Sequence, residues 1–176
     1  MFFKVKKFIL LLFIKYFYEK FSEMKLDNTD KKILNYLQQD CKQTNKELSS
    51  KLNLSVTAVY ERIKKLEREK VITQNVSILD KEKVGLGFIV FCQIRLTQHS
   101  KEYLTIFETE VIKFEEVVEC FHVSGEYDYL LKVVVKDMVH FRSFMVTKLT
   151  TISHIGSTQS SFNISEVKNT TAITLN

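Results

Sequence analysis

The chain has 176 residues, 45% of them hydrophobic and 27% charged. That suits one or two small folded domains and argues against a disordered chain. Its three cysteines fall in no CxxC spacing, which argues against a disulfide scaffold or cysteine zinc site and points to a reducing, cytoplasmic setting. The net charge of +5 suits a nucleic-acid or other anionic partner.

Residues 1–23 read MFFKVKKFILLLFIKYFYEKFSE and carry three of the five net positive charges. The apolar run Phe8–Ile14 is seven residues long, where a membrane span needs about 20. No stable membrane insertion is expected. Phe17-Tyr18-Glu19-Lys20 is not a small-residue cleavage site, which weakens a secretory reading. Two further readings stay open: translation starting at Met24, with the extension an upstream mis-start, or an amphipathic helix on a membrane or partner surface.

Residues 24–80 read as a winged helix-turn-helix. In LDNTDKKILNYLQQD, Ile33, Leu34 and Leu37 share one helical stripe, with Asp27 or Thr29 as the cap. Thr44 and Glu47 have capping-box spacing. Leu48 and Leu52 then share a face, and Asn53 suits a left-handed turn. Ser55 caps a third helix through Lys70, with Val56, Val59, Ile63 and Leu66 inward and Thr57, Tyr60, Glu61 and Lys64 outward. Such a helix can enter a major groove. Between Thr44 and Lys70 seven Lys/Arg face four Glu, a modest excess for phosphates that dimerisation would double. Val71–Thr73 and Val76–Leu79, around Gln74-Asn75, read as a hairpin wing.

Residues 81–86 read as a charged linker, and 87–176 as an α+β domain. Leu86–Thr97 alternates as a strand with one apolar face. Ser100 caps a helix to about Phe114. Strands follow at Val117–Val123 and Tyr129–Val135, joined by the turn Ser124-Gly125-Glu126-Tyr127-Asp128. Asp137 caps a helix to about Leu149, Ile155–Ile164 is a fourth strand, and Glu166–Leu175 is a candidate fifth. The order βαββαβ is the ferredoxin-like split arrangement. Two helices cover one sheet face, so the other needs a partner, and a homodimer through it is expected.

Several ordered segments resemble the Lrp/AsnC (leucine-responsive, feast/famine) regulators: LDNTDKKILNYLQQD, LSVTAVYERIKKLEREKVI, SGEYDYLLKVVV and SEVKNTTAITL. The likeness runs from Met24 to Leu175. It implies a sequence-specific DNA-binding transcriptional regulator: a winged helix-turn-helix joined to a ferredoxin-like sensing domain. It implies dimers built into tetramers or octamers, with a small effector, usually an amino acid, held between dimers near the Gly-x-Tyr-Asp turn. The DNA-reaching residues are then Lys46, Ser55, Thr57, Tyr60, Glu61, Arg62 and Lys64. Arg62 can fork onto guanine or phosphate, or pair with Glu61 or Glu69. The effector residues are Ser124, Gly125, Glu126, Tyr127, Asp128, Thr158 and Ser160. Asp128 can accept an ammonium or cap the backbone, while turn amides, Thr158 and Ser160 can hold a carboxylate. No cofactor, metal or catalytic residue is implied.

Three positions depart from the family pattern. Lys70 stands where glycine is common after the recognition helix, Val56 where proline often follows the cap, and His154 within a usual Pro-Gly. Two rival readings come from other classes. One is an architectural DNA-binding protein without an effector. The other is an enzyme on the same fold, which His99, His122, His140, His154 and the pair Glu115-Glu116 support poorly, since no two histidines have metal-ligand spacing.

Overall fold

A computed structural model describes residues 25–176; the expectations for 1–23 lie outside the described residues. Asp27 ends the extended lead-in and caps α1 (Asn28–Gln39) through a reciprocal box with Asp30. Thr44 and Glu47 do the same for α2 (Asn45–Leu52), and Asn53 leaves that helix at φ 54°. Ser55 caps α3 (Val56–Arg68) by accepting from the Ala58 amide. Each cap satisfies orphan N–H groups by local chemistry, so each was readable from spacing alone.

The three helices close on Ile33, Leu34 and Leu66, with Leu26, Leu37, Leu52 and Ile63 around them. One Arg62 nitrogen lies 2.6 Å from both Asp27 Oδ2 and Asp30 Oδ1. Asp30 is only 2% exposed. The expected partners Glu61 and Glu69 are thus replaced by two carboxylates on another helix, and Arg62 pins α3 to the start of α1.

The expected wing is not a hairpin: residues 71–79 form no strand. Lys70 adopts φ 59°. Its N–H donates to Glu67 O at 3.1 Å, and Val71 N–H donates to Leu66 O at 2.9 Å. This is a Schellman closure, with a lysine where glycine would be free of strain. Val71 and Ile72 then pack into the helical core, so the first half of the expected hairpin is used to finish α3.

The second unit is a four-stranded antiparallel sheet in the order β2-β3-β1-β4. Its elements are β1 (Phe88–Leu96), α4 (Lys101–Val111), β2 (Val117–His122), β3 (Tyr129–Val135), α5 (Met138–Thr147) and β4 (Ile155–Phe162). Ser100 caps α4 and Asp137 caps α5. The helix-side core holds Val90, Cys92, Ile94, Leu131 and Val133 with Phe107, Val111, Phe141 and Phe144. Tyr129, 1% exposed, donates its hydroxyl to Glu108 at 2.8 Å. Burial, and then that hydrogen bond, raise its phenol well above the usual range. His154 enters β4 at φ 71°, its ring stacked on Tyr103 at 3.6 Å. No fifth strand forms: 163–176 carries no strand. Residues 170–176 belong to the first compact unit, whereas Ser77–Asn169 form the second.

Two outcomes follow for stability. Arg62→Ala should cost about 2–3 kcal/mol in urea unfolding, below the figure for a fully buried pair because Arg62 and Asp27 are part exposed. The Asp30 amide, then Arg62, hold the Asp27 carboxyl below its ordinary 3.8. Its contribution is therefore present above that value and is lost as pH falls through the lower folded one. The acid limb of wild-type stability should flatten in the variant. Conversely, Lys70→Gly should raise stability by about 1 kcal/mol by relieving the left-handed backbone.

Candidate functional site

Two sites emerge, one on each unit. On α3, Thr57, Tyr60, Glu61 and Lys64 are all exposed, and their spacing puts them on one helical face. Lys64 pairs with Glu67 at 2.7 Å and lies over the Tyr60 ring, 5.9 Å from its centroid. Ser55 is exposed but holds the Ala58 amide. Lys46 is exposed on α2. Arg62 stands apart from this set, because its guanidinium is committed to Asp27 and Asp30. Lys65 and Arg68, which count toward the positive excess of this stretch but not among the expected DNA-reaching residues, are also exposed.

On the second unit, Gly125 takes φ 140° in the β2–β3 turn, with open space where a Cβ would stand. Backbone conformation, not crowding, requires glycine there. The turn borders a depression of about 530 Å³ lined by Gln93, Val123, Ser124, Glu126, Tyr127, Leu130 and Gln159. The Tyr127 hydroxyl donates to Gln159 Oε1.

Three expected effector residues sit elsewhere. Asp128 Oδ2 accepts from the Leu96 amide at 2.8 Å, and Oδ1 lies 3.1 Å from His99 Nδ1. The Asp128 amide donates to Ile94 O, so this residue fastens the turn to the end of β1. Thr158 and Ser160 pair with the buried Ile94 and Cys92, and Ser160 Oγ lies 3.8 Å from Cys92 Sγ. Strand alternation puts both on the helix side of the sheet. The residue between them, Gln159, is the one that reaches the depression. The expected Thr-x-Ser pair is thus one residue out of phase with this cavity.

Of the residues weighed for catalysis, Glu116 is held in an ion pair with Lys148. Burial pushes the Glu116 carboxyl up, but the Lys148 ammonium at 2.6 Å outweighs it and holds it below the ordinary range. The fold does bring the His99 and His122 rings to 5.9 Å, which spacing did not reveal. Among the described residues, no group of three or more His, Cys, Asp or Glu can hold a metal, and no helix is long and apolar enough to cross a membrane.

Residues 26–73 match the family described as winged helix-turn-helix DNA-binding, and 89–173 match the Lrp/AsnC ligand binding domain. The chain is 36% identical over 148 residues to the DNA-binding transcriptional activator DecR of Escherichia coli, covering 84% of this chain and 97% of that protein. It is 39% identical over 156 residues to the glutamate uptake regulatory protein of Zymomonas mobilis, covering 86% and 92%. A transcriptional regulator of Neisseria meningitidis, solved as its L-Met complex, superposes with a TM-score of 0.82 at 37% identity, covering 86% and 98%. Each of these relatives is described as a regulator. With both domain types in order and such coverage, the chain belongs to the Lrp/AsnC family of DNA-binding transcriptional regulators.

Proposed function

We propose that α3 reads DNA through Thr57, Tyr60, Glu61 and Lys64, and that Lys46, Ser55, Lys65 and Arg68 contact the flanking backbone. The exposure of the α3 face carries this reading. Arg62 serves it indirectly, by fixing the angle at which α3 is presented. The regulator acts in the cytoplasm.

The second unit senses an amino acid at the β2–β3 turn. Support comes from the depression beside Ser124, Glu126 and Tyr127 and from the related regulator solved with L-Met. The Glu126 carboxylate is the acidic group in that lining, and it receives the ammonium. Turn amides around Ser124 and Gly125 take the carboxylate, and Tyr127 and Gln159 shape the far wall. Asp128 contributes by holding the turn, and Thr158 and Ser160 by packing β4. The bare sheet face presents Phe91 and Phe121, 37% and 50% exposed, and joins a second copy. Homodimers then assemble further, with the effector held between them. An effector-free architectural role has no use for this depression.

DNA binding is tested by titrating a duplex selected from a randomised pool. Thr57→Ala or Tyr60→Ala should each weaken the selected site by about 1–3 kcal/mol over random sequence. Lys46→Ala should weaken all sequences alike and lower the salt slope by about 1. Sensing is tested by thermal shift of the full chain against the twenty amino acids. Wild type should be stabilised by one or a few, by about 2.7 kcal/mol at 100 times Kd. Glu126→Gln should keep the fold and lose the shift, whereas Asp128→Ala should lower stability by about 1–3 kcal/mol even without ligand. A Glu126→Gln chain that responds as wild type does would overturn the ammonium assignment.

A further inference from the structure

The segment 170–176, TTAITLN, does not extend the sheet but lies along α1. Asn35 grips Leu175 with both ends of its carboxamide. Its Nδ2 donates to Leu175 O at 3.0 Å, and its Oδ1 accepts from Leu175 N–H at 3.2 Å. One turn further on, Gln38 grips Ile173 the same way: Nε2 donates to Ile173 O at 2.9 Å, and Oε1 accepts from Ile173 N–H at 2.7 Å. The Lys31 ammonium donates to the main-chain oxygen of Asn176. The Leu175 side chain is half-buried and packs against the Ile33, Leu34 and Leu66 cluster.

A carboxamide offers the same donor and acceptor pair as a peptide group. Two of them three residues apart on a helix face imitate the free edge of a β-strand. They recognise extended backbone irrespective of its side chains. Selectivity then falls on one position, the leucine entering the core, while Ile173 remains 71% exposed. A loop lying on a surface by chance would not satisfy both backbone groups of two alternate residues.

We propose that α1 carries a receptor for an extended chain, and that its occupant is this chain's own 170–176 segment. The seat completes the core of the DNA-reading unit with a leucine supplied from beyond the sensing unit. It also gives the reading unit a second covalent strap to the sensing unit, because 170–176 is continuous with β4. The chain thus passes between the two units twice, once after Val76 and once before Thr170. This inference does not depend on which effector binds or on whether one does.

Amide hydrogen exchange on the full-length wild-type chain tests the seat directly. Ile173 and Leu175 amides should exchange at least about tenfold more slowly than that of Thr174, for which no receptor group is provided. Equal, fast exchange at all three would overturn the proposal without any variant. The double variant Asn35→Ala, Gln38→Ala and the single variant Leu175→Asp should each abolish that protection and lower the melting temperature of the reading unit. Combining them should do little more than the worse one alone, since they break the same contact; additive losses would overturn the proposal. Mixing the two variant chains tests the occupant. No recovery of protection supports seating within one chain, and recovery would show exchange between copies and overturn the strap.

Discussion

Three helices of 12, 8 and 13 residues bury only a small apolar core by themselves, and units of that size are marginal. Everything else in the reading unit answers that constraint. Val71 and Ile72 fold back from the end of α3, and Leu175 arrives from the far end of the sequence. Arg62 is held by Asp27 and Asp30, so a cation on the helix proposed to read DNA ties that helix to the start of α1. This division of labour has a physical reason. A helix that reads base edges must be presented at a fixed angle, and in so small a unit packing alone fixes angles poorly. A charge-assisted bond to a buried carboxylate fixes one directly.

The sensing unit solves a similar problem at Asp128. The register between β1 and β4 shifts between Arg95 and Leu96, and it is the Leu96 amide that Asp128 satisfies. The same carboxylate meets His99. The turn is thereby fastened at one end by Asp128 and bent by Gly125 at φ 140°. Ser124, Glu126 and Tyr127 remain at the depression. The charge of an acidic residue in such a turn is weighed against its backbone partners, and those of Asp128 are the Leu96 amide and its own turn.

Much of this architecture was legible because its causes are local. Asp27, Thr44, Ser55, Ser100 and Asp137 all cap helices by reaching three residues along the chain, and a three-residue reach is visible in sequence. The strand order follows from the βαββαβ succession. What stayed hidden depends on distant partners. Arg62 meets groups 35 and 32 residues away, and Asn35 meets Leu175 across 140. The β-prone residues Val71 and Ile72 predict a hairpin, because propensity cannot say that Lys70 accepts a left-handed turn and sends them into the core. Thr158 and Ser160 show the sharpest form of the limit. The family pattern points to β4, but period-two alternation decides which face each residue serves, and only the pairing with Ile94 and Cys92 fixes it.

The proposed sensing site and the proposed dimer face share their strands. Gln93 and Leu130 line the depression and are directly paired across β1 and β3. Phe91 and Phe121 lie on the same side of the sheet, Phe121 pairing with Leu130. An effector at the turn therefore touches the surface that a second copy would cover. Ligand binding can shift assembly only by the difference in its affinity for the two states. A cavity that one copy leaves open and a second copy closes supplies such a difference without any large movement within the sheet. The rigidity of a fully paired β1, flanked by β3 and β4, then favours a response expressed between subunits over one expressed within a subunit.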